Sequence, residues 1–343
     1  MNTKIKIPRI PSIAVIGATG MVGRELIRIL EERQFKFSKL KLFASKKSAG
    51  LKIDCGDDEF VVEALEDAFQ VDTDIAFFAA GSKVSQRFVE KIASQGTVCI
   101  DKSSYWRMDP DVPLVVNEVN GSEALGKKII ANPNCIATPL MQVLAPLHKL
   151  ANLEQVIVCT YQAVSGAGQA GSDELESQVR DLFNMREVTT KVFGERIAFN
   201  VIPAIPGTAH FDDLGKSEEE VKVIQETQKI LGIPDLKMDV TCVRVPVFNG
   251  HSMAVHLAFT KPYKISEAID TLSSAPGIIL VNDSQKTNYP TALDACGNDM
   301  TLVGRVRPNT SALYGLSLWI VSDNLRTGAA LNAVRIAETI TME

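Results

Sequence analysis

The run Pro11-Ser-Ile-Ala-Val-Ile16 leads straight into glycines at 17, 20 and 23 and then into Arg24–Leu30, where Leu26, Ile27 and Leu30 share one helical face. Strand, glycine-rich turn and helix in that order restrict the fold more than any other feature of the chain. A glycine at the strand end permits a tight turn, and one inside the turn lets backbone approach a pyrophosphate. The helix start then offers N–H groups and a dipole to the anion. The spacing is GxxGxxG rather than GxGxxG, so the position of the glycines carries the inference.

Later segments extend this pattern. Leu40–Ala44, Asp74–Ala80 and Thr97–Ile100 read as buried strands, with Gln86–Ser94 helical between the last two. Alternating strands and helices predict an α/β, Rossmann-like, doubly wound parallel sheet. The character changes near residue 135. Cys135 to Leu150 reads as a long apolar helix. Val156–Tyr161, Met238–Val247, Ser252–Thr260 and Tyr314–Val321 alternate more strongly, as suits a mixed or antiparallel sheet with one helix-covered face. A helix from about Ser217 to Leu231 ends at Gly232 and Pro234, and Gly328–Ile340 is helical again. A chain of 343 residues has room for two such domains.

Hydrophobic content of 45% and charged content of 22% are ordinary for a globular protein, and a net charge of −5 gives no support for a nucleic-acid or membrane partner. No apolar run is long enough to cross a bilayer, and Met1–Pro11 lacks the apolar core of a secretion signal. The six cysteines form no CxxC pair and the four histidines no HxxxH, which speaks against a metal site. A reducing cytoplasm suits this usage and leaves room for one reactive thiol.

Two segments carry chemistry. After the second strand, where an NAD enzyme usually places Asp or Glu for the ribose hydroxyl, this chain has Ser45-Lys46-Lys47-Ser48. Two cations and two hydroxyls suit the 2′-phosphate of NADP. Asn132-Pro-Asn-Cys135 precedes the long helix, a setting in which the dipole and N–H groups stabilise a thiolate and the asparagines can cap. Cys135 is therefore the candidate nucleophile. Of the histidines, His251 and His210 fall in loops, while His148 and His256 fall within a helix and a strand.

With these pieces together the chain resembles the aspartate-β-semialdehyde dehydrogenase family from about Ile13 to Ile340. The resemblance rests on Gly17-Ala-Thr-Gly-Met-Val-Gly23, Ser45–Gly50, Asp101-Lys-Ser-Ser-Tyr-Trp-Arg107 and Asn132–Cys135. Tyr161-Gln-Ala-Val-Ser-Gly-Ala-Gly168, Arg244–Ser252 and Asp323-Asn-Leu-Arg-Thr-Gly-Ala329 complete it. It implies that Cys135 forms an acyl thioester, Gln162 orients the intermediate, Arg244 grips the substrate carboxylate and His251 is the acid–base group. It implies that Glu219 faces the substrate amine and that Arg107, Asn134 and Lys222 contact phosphate. Gly17, Thr19, Gly20, Met21, Val22, Lys47, Ser48, Ser165, Gly166 and Asn324 then contact NADP(H). Residues 1–134 with 324–343 become the NADP-binding domain, and 135–323 the catalytic and dimerisation domain.

The activity so implied is NADPH-dependent reduction of aspartyl phosphate to aspartate semialdehyde and inorganic phosphate, or its reverse. It belongs to lysine, threonine, methionine and diaminopimelate biosynthesis, carried out by a homodimer or homotetramer. This chain departs from the family in Ile136-Ala-Thr after the cysteine, in Lys47 where many relatives carry arginine, and in the run Glu218–Glu220, where spacing alone selects Glu219. The rivals are an N-acetylglutamyl-phosphate type reductase, a glyceraldehyde-phosphate dehydrogenase and a non-catalytic NADP-binding relative. The Arg244-to-His251 spacing, the absence of an acid after the second strand, and the presence of all four central residues weigh against them in turn.

Overall fold

The computed structural model describes residues 7–65, 71–206, 211–281 and 289–342. In chain order they form β1 (Ser12–Ile16), α1 (Met21–Glu32), β2 (Lys39–Ala44), β3 (Lys52–Cys55), β4 (Asp58–Ala64), β5 (Ile75–Phe78), α2 (Ser82–Ser94) and β6 (Val98–Asp101). Next come α3 (Asn117–Asn120), β7 (Ile129–Ala131), α4 (Ala137–Ala151), β8 (Leu153–Gln162), α5 (Gln169–Phe183), α6 (Glu218–Leu231) and β9 (Lys237–Arg244). The chain closes with β10 (His251–Phe259), α7 (Ile265–Ser274), β11 (Ile278–Leu280), α8 (Ala292–Ala295), β12 (Thr301–Asn309), β13 (Gly315–Ser322) and α9 (Leu331–Thr341). A π-helical turn, Arg326–Ala330, precedes α9. His210 lies outside the described residues.

Two compact units result, residues 1–134 with 329–343, and residues 135–328. Residues 324–328 thus count with the second unit.

In the first unit the sheet order is β3-β4-β2-β1-β5-β6-β7, parallel except where β3 runs antiparallel to β4. Alternate residues of its strands feed two separate cores. Ile13, Val15, Leu42, Phe77 and Ile100 pack with Leu26 and Leu30 of α1 and Val334 and Ile336 of α9. Ala14, Ile16, Phe43, Ala76 and Phe78 pack with Phe88, Val89 and Ile92 of α2. Burial on both faces, at about 1.5–3 kcal/mol per large apolar side chain, explains why these strands read as unbroken hydrophobic runs.

In the second unit the order is β11-β12-β13-β10-β8-β9, with β11/β12 and β8/β9 parallel and the rest antiparallel. This is the mixed sheet of the sequence expectation. Along β8, Val156, Val158, Thr160 and Gln162 are buried, whereas Ile157 and Tyr161 are exposed on the opposite face. No helix among the described residues is long and apolar enough to cross a membrane.

Candidate active site

In the first unit, the dinucleotide turn sits at the end of β1. Gly17 has φ +90°, and a Cβ there would meet the Ala79 carbonyl oxygen at 2.6 Å. At Gly23 a Cβ would meet the Gly17 carbonyl at 2.1 Å, so α1 packs against the turn only because the residue is glycine. Gly20 precedes α1, and no side chain caps the helix start. That leaves the first-turn N–H groups in the arrangement that binds pyrophosphate.

Thr19 Oγ1 lies 3.4 Å from Ser48 Oγ, which brings the turn beside the single 3-10 turn Lys46–Ser48, whose two lysines are exposed. A cavity of about 580 Å³ opens between the turn, Ser45, Leu65 and the Lys83–Arg87 face of α2, and among the described residues no carboxylate lines it. An apolar slot rimmed by cations fits an adenosine bearing phosphate. The residues present therefore fit a bound dinucleotide.

Arg107 and Asn134 are also in this unit, both buried. Arg107 Nε donates to the Asn132 carbonyl at 3.0 Å and Nη2 to that of Lys102 at 2.7 Å. These bonds hold the guanidinium in place. Burial pushes the neighbouring Asp101 carboxyl up, while hydrogen bonds from Ser103 and Ser85 and the charge of Arg107 pull it back down.

The second unit collects the remaining central residues at one end of three adjacent strands. Gln162 ends β8 and pairs in register with Arg244, which ends β9; His251 opens β10. The Ala163 peptide pins two of them. Its N–H donates to His251 Nδ1 at 3.0 Å, and its carbonyl accepts from Arg244 Nη1 at 2.6 Å. Because Nδ1 accepts, the neutral ring carries its hydrogen on Nε2. A Cβ on Gly166 would lie 2.9 Å from Arg244 Nη1 and 3.2 Å from His251 Nε2, so both groups face the same backbone.

Arg244 also lies over the Phe193 ring, 5.7 Å from its centroid. Burial pushes its guanidinium down, and Glu219, Cys135 and Cys242 draw it back up, which places the Glu219 and Cys135 side chains within electrostatic reach. Gln162 Nε2 donates to Glu219 Oε1 at 3.1 Å.

The three consecutive glutamates separate cleanly. Glu218 pairs with Lys222 on the helix surface. Glu219 meets Gln162. Glu220 accepts from the Ser217 N–H at 2.6 Å and the Cys242 N–H at 2.9 Å, fixing the first turn of α6 to β9.

Cys135 lies two residues before α4, not on its first turn. The residue at the N-cap is Ile136, and no side chain caps there, contrary to the expectation for the asparagines. Asn132 instead accepts from Asn332 Nδ2 at 2.6 Å. Gly328 packs on the cysteine so closely that a Cβ would lie 2.9 Å from both Cys135 Cβ and its carbonyl oxygen. Among the other thiols, burial pushes those of Cys99 and Cys242 far up, as suits inert core groups.

Ser165 and Asn324 form one network, while the Gly166 N–H donates to the Ala163 carbonyl at 3.1 Å. Asn324 Nδ2 donates to Ser165 Oγ at 2.9 Å, and Asn324 Oδ1 accepts from the Gly250 N–H at 2.9 Å. Asp323 takes Asn249 Nδ2 and the N–H groups of Gly297, Leu325 and Arg326. The loop that presents His251 is thereby held on both sides. Sequence reasoning missed Thr160, Glu220, Asp323 and Gly328. The one local signal was the i, i+2 placement of Thr160 and Gln162 on a single strand face.

A glycine-turn dinucleotide unit, followed by a cysteine ahead of α4 and by a glutamine, an arginine and a histidine at the ends of neighbouring strands, defines an oxidoreductase that uses NAD(P). Comparison with known proteins narrows the class. A family model for the semialdehyde dehydrogenase NAD binding domain matches residues 12–127, and one for the semialdehyde dehydrogenase dimerisation domain matches residues 144–327. The aspartate-semialdehyde dehydrogenase of Streptomyces akiyoshiensis is 44% identical over 96% of this chain and 98% of its own. The crystal structure of aspartate semialdehyde dehydrogenase II from Vibrio cholerae superposes with a TM-score of 0.92 at 41% identity, covering 97% of this chain and 99% of that one. A structure of that protein complexed with ASA superposes equally well, at 40% identity. The chain belongs to the semialdehyde dehydrogenase family, among its aspartate-semialdehyde dehydrogenases.

Proposed function

We propose that this chain reduces L-4-aspartyl phosphate to L-aspartate 4-semialdehyde with NADPH, and runs the phosphorylating oxidation in reverse. The observation that carries this reading is the Ala163 peptide, which holds a buried arginine and a histidine facing the same backbone. Arginine's fork matches a planar carboxylate, so Arg244 binds the α-carboxylate of the substrate while Glu219 faces its amine. The complex with ASA of a relative sharing 40% of its residues supports the same substrate.

Cys135 Sγ attacks the acyl carbon, the C–O bond to phosphate breaks, and a thioester remains on the enzyme. Arg107, Asn134 and Lys222 receive the departing phosphate. Bound NADPH supplies the hydride that reduces the thioester. His251 Nε2–H donates to the oxygen as negative charge gathers there, and Gln162 holds the acyl group in line. The C–S bond then breaks, the thiolate is restored and the aldehyde leaves.

Preference for NADP over NAD is assigned to Lys47 and Ser48 with Lys46, since an exposed cationic loop with no acid suits a 2′-phosphate. The match to a dimerisation domain supports an assembly of identical subunits, which we assign as a homodimer or a dimer of dimers working in the cytoplasm.

The test is phosphate-dependent reduction of NADP⁺ with L-aspartate semialdehyde, with NAD⁺ run beside it. Activity requiring phosphate and favouring NADP⁺ is expected, and Cys135→Ser should abolish it while leaving NADP⁺ binding intact. Folded, NADP-binding wild-type protein without activity on this aldehyde would overturn the proposal.

A further inference from the structure

Thr160 lies two residues before Gln162 on the same face of β8 and is wholly buried. Valine has the same shape and no polar group to satisfy, so packing alone does not call for a hydroxyl here. The hydroxyl is instead in the middle of a directed chain of hydrogen bonds. Thr160 Oγ1 donates to Gln162 Oε1 at 2.9 Å and accepts from the Val243 N–H at 3.3 Å. At the other end of the same amide, Gln162 Nε2 donates to Glu219 Oε1 at 3.1 Å.

We propose that Thr160 is a positioning residue for the reaction: its hydroxyl fixes which way round the Gln162 amide stands. This rests on the reading of Gln162 as the group that orients the bound acyl intermediate.

The direction of each bond follows from the groups. An ionised carboxylate only accepts, so the amide NH₂ faces Glu219 and the amide oxygen faces Thr160. That oxygen cannot donate, so the Thr160 hydroxyl must, and its lone pairs are left for the Val243 N–H and the neighbouring Cys242 thiol. Turning the amide over would set two acceptors against each other at Glu219. Without the hydroxyl, the amide oxygen would be a buried acceptor with one partner fewer, and the side chain would be held at one end only.

The far end of the chain is also anchored. Glu220, next to Glu219, accepts from Cys242 N–H on β9 and Ser217 N–H, so Glu219 rides on a helix turn tied to the strand that carries Val243 and Arg244. Glu219 takes one of the two Gln162 N–H donors, and the second serves the acyl group. The orientation of the amide therefore decides whether the intermediate meets a donor or an acceptor.

Full-length Thr160→Val and Thr160→Ser are compared with wild type in steady-state kinetics, NADP⁺ binding and thermal unfolding. A second readout is hydrogen exchange of the Gln162 side-chain amide by NMR on glutamine-labelled protein. Thr160→Val should lower kcat by about 10- to 100-fold, the scale of a misplaced reacting group, with a smaller change in KM for the aldehyde and unchanged NADP⁺ affinity. Thr160→Ser should restore kcat to within about twofold. The Gln162 amide should exchange slowly in wild type and Thr160→Ser, and fast in Thr160→Val.

Wild-type kcat in Thr160→Val, or equal impairment in Thr160→Ser, would overturn the assignment. So would unchanged amide exchange, which remains decisive even if the valine variant is unstable. Inactive wild-type enzyme would instead count against the proposed function, and the exchange comparison would still judge Thr160.

Discussion

Arg244→Lys keeps the positive charge and removes the fork. The guanidinium is 4% exposed, bonded at 2.6 Å to the Ala163 carbonyl and laid over Phe193. A lysine ammonium offers the substrate carboxylate a point charge where arginine offers two parallel donors. Loss of one charge-assisted bond of about 1.5–3 kcal/mol corresponds to roughly 10- to 150-fold in kcat/KM. Losing the bond to the Ala163 carbonyl costs stability on a similar scale, for a fall in Tm of about 2–4 °C per kcal/mol.

The assay compares L-aspartate semialdehyde with 3-aminopropanal, the same aldehyde without its carboxylate. Wild type should discriminate strongly between them, and the variant should lose most of that discrimination, its deficit confined to the carboxylate-bearing substrate. Equal losses on both aldehydes would refute the carboxylate contact, leaving Arg244 as a brace for the Ala163 peptide alone.

Lys47→Glu should weaken NADP⁺ binding well beyond NAD⁺ binding in a fluorescence titration; equal effects on the two would remove the 2′-phosphate assignment. Asn332 is buried, donates to the Val115 carbonyl at 2.8 Å and to Asn132 Oδ1 at 2.6 Å, and accepts from the Asn117 N–H at 2.9 Å. Asn332→Ala should therefore cost about 2–4 kcal/mol in urea unfolding, and a cost under about 1 kcal/mol would count against this network. His148 Nδ1 accepts from the Leu153 N–H at 3.1 Å, and burial followed by Lys261 lowers its proton affinity. A lowered folded pKa gives stability that is present above the ordinary histidine range and lost as pH falls through the folded value. On going from about pH 7 to about pH 5 the unfolding midpoint should therefore fall further for wild type than for His148→Gln; parallel losses would refute the contribution.

Strands buried on both faces were easy to read. Val15-Ile16 and Phe77-Phe78 are apolar without interruption because helices cover both sides of the sheet. Elements whose stability comes from partners were not. The β3/β4 hairpin, Lys52–Cys55 with Asp58–Ala64, is an edge with polar outward residues, and α5 carries the charged stretch Ser172–Ser177. Neither has a periodicity strong enough to stand out. The helix after Cys135 was legible in its length but not in its start, because nothing local distinguishes Ile136 from Ala137 as the boundary.

Cys135 and His251 were visible one by one, from a helix approach and a loop. That Gln162 and Arg244 are register partners, or that Ala163 joins Arg244 to His251, depends on pairings between segments far apart in sequence, and no local pattern encodes those. Glu220 shows the limit most plainly. Its role as anchor of α6 depends on the Cys242 N–H of a different element, and in the sequence it is one of three adjacent glutamates.

The register of β8 against β9 has a kinetic consequence. These strands are parallel neighbours joined only through a long crossover that contains α5 and α6, so their pairing closes a large loop and is among the slower events a chain of this topology undergoes. A slip of two residues keeps every side chain on its face yet carries Arg244 roughly 7 Å away from Gln162. Refolded chains with near-native helix content but a slipped β9 would have no substrate clamp. Return of activity during refolding therefore reports the arrival of that one long-range pairing, and should lag behind the recovery of secondary structure.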